Sequence, residues 1–160
     1  MSDILNATAL RIALVVSQCH AFVTDRLRDG ALAALTQAGV AADRIEIVRA
    51  PGAYEIAQVA RRAAETGRFD AVVCLGCVIR GETSHFEYIA SATAHAVMAA
   101  AADTGVPMSF GVLTTDSVEQ ALARAAVGPD GKGWEAAMAA VEMAGVFRHL
   151  ARAESKGARV

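Results

Sequence analysis

The chain has 160 residues, 54% of them hydrophobic but only 5% aromatic, and a formal net charge of -2. That length suits one domain able to bury a core, and a near-neutral balance without a basic cluster gives no electrostatic footprint for nucleic acid. No apolar run approaches the roughly 20 residues of a membrane span, because Asp103, Arg124, Glu135 and Glu142 interrupt the apolar stretches.

Residues 1–10 have no basic n-region, continuous apolar segment or small-residue cleavage site, which predicts cytoplasmic residence. They read as a flexible or partner-contacting arm on a single domain spanning residues 1–160. A first strand is expected over residues 12–16 and a first helix over 22–37, stopped by Gly39. A second strand over 45–48 and a second helix over 54–66, before Gly67, repeat the pattern. The third strand, 71–78, contains Cys74 and Cys77 at the C-x-x-C spacing of metal and redox sites. Residues three apart on a strand point to opposite faces, so these thiols read as buried small hydrophobes and no metal site is expected.

The third helix is expected from Ser84, where Ser84-His85-Phe86-Glu87 has capping-box form, to Asp103. From Ile89 through Ala102 only Ser91, Thr93 and His95 are polar, so this helix is apolar nearly all round. One sheet face cannot cover such a helix in so short a chain, and a partner subunit is expected to do so. A fourth strand over 107–113, a short helix over 117–126, a Gly128-Pro129-Asp130-Gly131 turn and a last helix over 133–150 complete the chain. Strands alternating with helices predict an α/β fold around a four-stranded parallel sheet with right-handed crossovers.

In open parallel sheets ligands bind beyond the carboxyl ends of the strands. The segments there are polar: Ser17-Gln18-Cys19-His20, Pro51-Gly52-Ala53-Tyr54-Glu55, Arg80-Gly81-Glu82-Thr83-Ser84-His85 and Thr114-Thr115-Asp116. Gly81, Glu82 and Thr83 lead into a helix amino terminus, where unpaired N–H groups and the dipole favour phosphate. On those residues alone an ordinary helix cap is the simpler reading. His85, beside this turn, carries an imidazole suited to proton transfer near neutral pH. Arg124 and Lys132, on spacing alone, are solvated surface charges.

Taken together, these segments resemble the lumazine synthases over residues 11–150. Pro51-Gly52-Ala53-Tyr54-Glu55 is similar to the family's P-G-A-[FY]-E. Leu75-Gly76-Cys77-Val78-Ile79-Arg80-Gly81-Glu82-Thr83 with His85-Phe86 is similar to its L-G-x-V-I-R-G-x-T-x-H-[FY]. Phe110 through Thr114, Glu119-Gln120-Ala121, Arg124-Ala125 and Lys132-Gly133 extend the match in order.

The resemblance implies a flavodoxin-like three-layer sandwich and condensation of 5-amino-6-(D-ribitylamino)uracil with 3,4-dihydroxy-2-butanone 4-phosphate. The products are 6,7-dimethyl-8-ribityllumazine, phosphate and water, with no metal or organic cofactor. It implies that Ala53, Tyr54 and Glu55 contact the pyrimidine and ribityl chain, and that the Cys77, Val78 and Ile79 backbone reads the uracil edge. Glu82, Thr83 and Arg124 would hold phosphate, with Gly81 giving close backbone approach and Lys132 nearby. His85 would move protons, and Phe110 would come from a neighbouring subunit. The family forms pentamers and, in some members, decamers or sixty-subunit capsids.

One position departs from the pattern. The family usually places an aromatic ring where this chain has Cys19, followed by an Asn or His, here His20. A lost ring forfeits about 1–3 kcal/mol of stacking, by analogy with base–aromatic contacts. A weakly active or non-catalytic flavin- or lumazine-binding protein, and a shell-forming protein on the same scaffold, are therefore the alternatives. The short connection from Arg124 to Lys132 lacks the insertion associated with purely pentameric members, yet Gly128-Pro129-Asp130 differs from the usual capsid-type loop.

Overall fold

In the computed structural model, residues 7–81 and 85–158 are described, with side chains through Arg152. Four parallel strands, β1 (Ile12–Ser17), β2 (Ile45–Ala50), β3 (Ala71–Ile79) and β4 (Met108–Thr115), form one sheet in the order β2-β1-β3-β4. The helices are α1 (Ala21–Ala38), α2 (Ala53–Glu65), α3 (Phe86–Thr104), α4 (Val118–Arg124) and α5 (Lys132–Ala158). This is the expected three-layer α/β architecture.

Strand alternation builds both core layers. Ile12, Leu14, Val16, Val73 and Leu75 point to one face, where they pack with Leu27 and Leu35 of α1 and Ala137 and Val141 of α5. Ala13, Val15, Val72 and Cys74 point to the other, against Ile56 and Ala60 of α2 and Val97 of α3. Cys77 belongs to the first layer and Cys74 to the second, so the two thiols do face opposite ways. Burial pushes each thiol up to about 12, with Cys19 adding to the shift at Cys77, and both stay protonated at neutral pH.

Several boundaries differ from the sequence expectation. Strand β2 is an edge strand, and only Ala50 of its six residues is fully buried, because β1 covers one side alone. Helix α3 is described from Phe86, with His85 as the residue before its first turn. Ser84, the expected capping serine, lies outside the described residues, as do Glu82, Thr83 and residues 1–6. Ala7 and Leu10, from the expected arm, are buried in the core. Helix α5 starts one residue earlier than expected and continues to Ala158. Gly39 ends α1 in the left-handed region at φ 101°, as its position predicts.

Candidate active site

The chain runs from β1 outward to β2 and then back past β1 to β3, so the strand order reverses between β1 and β3. Loops leaving the carboxyl ends of those two strands diverge and leave a crevice. A slot of about 330 Å³ opens there, lined by Cys19, His20, Gly52, Ala53, Tyr54, Glu55, Cys77, Val78, Ile79 and Ile89. All eight residues expected to contact the pyrimidine and ribityl chain from within one subunit are among them.

Each is placed by local structure. Cys19 follows β1 with its N–H donating to Ser17 Oγ at 3.2 Å. His20 takes the left-handed conformation at φ 58°, an arrangement His tolerates better than most non-glycine residues, and starts α1. Gly52 and Ala53 start α2, which buries Ala53, Ile56, Ala57, Ala60, Ala63 and Ala64 on one stripe and leaves Tyr54 exposed over the slot. Thr93, one of three polar residues on the apolar stretch of α3, is buried and donates to the Ala53 carbonyl at 3.4 Å. That bond ties α3 to the start of α2.

His85 lies beside the slot. With Tyr54, Tyr88 and Ile89 it lines an adjoining open recess of about 380 Å³, and Tyr54 and Ile89 are common to both spaces. Gly81 directly follows β3 and Arg80 with φ 87°, a left-handed turn that a side chain would strain. No group of three or more His, Cys, Asp or Glu side chains suited to a metal occurs among the described residues.

Arg124 and Lys132 stand elsewhere. They line a separate pocket of about 300 Å³ with Val112, Leu113, Thr114, Asp130 and Glu135. Phe110 lines the next pocket along, which shares Lys132 and Glu135 with it. Within one chain, therefore, no lining residue is common to the slot and to the Arg124 pocket. The phosphate-binding set implied by the resemblance is split, with Gly81 at the end of β3 and the two cations by β4 and α5. Lys132 Nζ is 3.4 Å from Glu135 Oε1, whereas Arg124 makes no ion pair among the described residues.

Ile89 and Tyr88 line these spaces although the sequence gives them no site role, and Gly52 enters there only as part of the run of residues 51–55. Ile89 lies four residues beyond His85, one helical turn on, and that spacing is the signal that identifies it. Arg80 takes a more central place than its motif position indicates. Its Nε donates to Asp116 Oδ1 at 2.8 Å, its Nη1 lies 3.5 Å from Glu87 Oε1, and its guanidinium sits 4.8 Å from the Phe86 ring centroid.

A doubly wound sheet with a mostly apolar slot at its switch point, a histidine at the slot's edge and a pocket of mixed charge by the last strand has the features of a small-molecule site. The family model described as 6,7-dimethyl-8-ribityllumazine synthase matches residues 9–148. A relative named 6,7-dimethyl-8-ribityllumazine synthase, from Syntrophus aciditrophicus (strain SB), is 47% identical over 146 residues, covering 91% of this chain and 95% of that one. The chain belongs to the 6,7-dimethyl-8-ribityllumazine synthase family.

Proposed function

We propose that the protein condenses 5-amino-6-(D-ribitylamino)uracil with 3,4-dihydroxy-2-butanone 4-phosphate to give 6,7-dimethyl-8-ribityllumazine in riboflavin biosynthesis, in the cytoplasm. The observation that carries this reading is the convergence of Cys19, His20, Ala53, Tyr54, Glu55, Cys77, Val78 and Ile79, drawn from three separate segments, on one slot. Such a slot orients a flat heterocycle, and backbone groups at the end of β3 supply its polar edge. The amine substrate is already a nucleophile, so alignment, proton transfer and phosphate departure are the tasks left to the protein. His85, at the slot's edge, serves the proton transfers. Gly81, Glu82 and Thr83 receive the phosphate together with Arg124 and Lys132.

Those two cations and Phe110 lie in pockets that share no lining residue with the slot of their own chain, which supports a site completed by a second subunit. Helix α3 supports the same assembly. Of its residues only Thr93, Val97 and Ala100 are buried, while Tyr88 and Met98 are each 70% exposed. An apolar helix left this open within one chain is covered in a homo-oligomer, here a pentamer.

The test is lumazine formation from the two substrates, followed alongside native mass. Turnover by a pentamer, or by a decamer or sixty-subunit shell of pentamers, is the expected result. The exposed Cys19 favours one second reading, a flavin- or lumazine-binding protein with little turnover. Tight riboflavin or lumazine binding without product formation would select it.

A further inference from the structure

We propose that Arg80, held by Asp116, is a positioning residue for His85. The inference rests on the proton-transfer role proposed for that histidine. His85 immediately precedes α3, and the two residues after it are the ones that Arg80 grips. The guanidinium packs over Phe86 at 4.8 Å and pairs with Glu87 at 3.5 Å. On its other side Nε donates to Asp116 at 2.8 Å.

Both anchors of this grip are fixed. The Arg80 N–H donates to the Thr115 carbonyl at 2.8 Å, carrying the β3–β4 ladder one step past its last paired residues, Ile79 and Thr115. Asp116 in turn is set by its own N–H, which donates to Gln120 Oε1 at 2.9 Å, while the Gln120 N–H donates to Ser117 Oγ at 3.2 Å. The start of α3 is thereby referred to the ends of two sheet strands and to the first turn of α4.

Only a guanidinium fits this place. It presents a forked set of donors to two carboxylates while its plane lies on a ring, which an ammonium cannot do. The Arg80 pKa is raised further above its ordinary value, first by the hydrogen bond to Asp116, so its charge is permanent. The pair is exposed, and exposed ion pairs contribute little to folding. Its effect is expected in geometry, since a misplacement of about 1 Å can cost up to about 100-fold in rate.

The experiment measures kcat, both KM values and product binding for Asp116→Ala, Arg80→Lys, His85→Ala and the Asp116→Ala/His85→Ala double variant of the assembled protein. Asp116→Ala and Arg80→Lys should each lower kcat about 10-fold, with product affinity and melting temperature nearly unchanged. In the His85→Ala background Asp116→Ala should cost almost nothing more, because the two act through one group. Fully multiplicative losses would overturn the positioning role. So would a lower KM for the phosphate substrate in Asp116→Ala together with a tolerated Arg80→Lys, the pattern of a cation that binds phosphate by charge alone once released from Asp116. A silent His85→Ala would instead remove the proton-transfer reading itself, and the inference with it.

Discussion

The His20 imidazole meets the Phe22 ring edge-on, with centroids 6.0 Å apart and planes at 90°. His20 also lines the slot, directly after Cys19. A histidine braced in this way can offer a flat face where the family usually has an aromatic ring one position earlier. We expect His20→Asn, which tolerates the left-handed backbone but removes the ring, to raise KM for the pyrimidine about 10-fold, within the usual 1–3 kcal/mol of stacking. Turnover should change less, because a platform gripping ground and transition states alike provides uniform binding. Cys19→Trp should then gain no more than a few-fold. A large gain from the tryptophan with a silent His20→Asn would assign the empty platform to Cys19 instead.

Arg124 lies in a pocket with Lys132, and of the two only Lys132 is paired to a carboxylate among the described residues. Its guanidinium is therefore available for a planar, two-pronged grip on phosphate. Arg124→Ala should raise KM for the phosphate substrate at least 10-fold, the order expected for a lost charge-assisted contact, and leave the pyrimidine KM within about two-fold. Arg124→Lys should restore only part of the loss. Steady-state kinetics with each substrate varied in turn would decide, and equal effects on both KM values would remove the assignment.

The fold and half of the site are legible in the sequence for a simple reason. The slot residues follow strands or end them, in short runs where β-branched or apolar periodicity gives way to Gly, Pro and polar residues. His20, Ala53, Tyr54, Glu55 and Cys77 can therefore be placed at the carboxyl end of the sheet without knowing the fold in detail. The opposed Cys74 and Cys77 follow from strand alternation alone. What local pattern does not carry is the partition of the cations. Arg124 and Lys132 reach a pocket bounded by β4, which depends on how α4 and α5 pack. The Arg80–Asp116 bond joins residues 36 apart, and no periodicity announces it. The open face of β2 is equally invisible, because an edge strand differs from a central one only by its neighbours.

Cys74 and Cys77 make stability fall at high pH. An unfolded thiol titrates near 9.0, whereas burial pushes both up to about 12 in the folded chain. Above pH 9 the unfolded state releases protons that the folded state keeps, so the contribution of these thiols is complete below about pH 9 and is lost as pH rises toward 12. Urea midpoints measured from pH 8 to pH 10.5 should decline, and Cys74→Ala should decline less steeply. A thiol reagent at pH 8 should label Cys19 alone in the native protein and all three cysteines after unfolding. Native labelling of Cys74 would contradict this burial.

His85→Ala should lower kcat roughly 10-fold or more, up to the about 10²–10⁴-fold that general acid–base help can supply, while product affinity stays nearly constant. The reason is positional. His85 lines the recess adjoining the slot with Tyr54 and Ile89, but it is not among the residues lining the slot itself. A side chain at that edge can serve proton transfer without contributing much to product binding. An unchanged kcat from pH 6 to 8 in the variant would reduce His85 to a residue that only begins α3.

Helix α3 tests the assembly. Ala96 and Ala99 stand on its exposed side near Met98, with no polar group of their own and no cover from within the chain. Three of the helix's residues are fully buried, and Thr93 is the one polar side chain among them. His95 donates from Nδ1 to the Ser91 carbonyl at 2.9 Å, so this exposed imidazole is bonded along its own helix and leaves the small apolar positions to make the contact. Small residues let helices approach closely, and a carboxylate introduced there would be buried without a partner at several kcal/mol or more per copy. Ala96→Asp or Ala99→Asp should therefore shift the protein from a pentamer or larger species to smaller ones at micromolar concentration, as followed by sedimentation velocity. Far-ultraviolet circular dichroism should be retained, because neither position contributes to the two core layers. Activity should fall with the mass, since each slot would lose the Phe110, Arg124 and Lys132 of its neighbour. A variant that sediments as a monomer yet turns over both substrates at the wild-type rate would show that one chain holds the whole site, and the division of that site between subunits would be wrong.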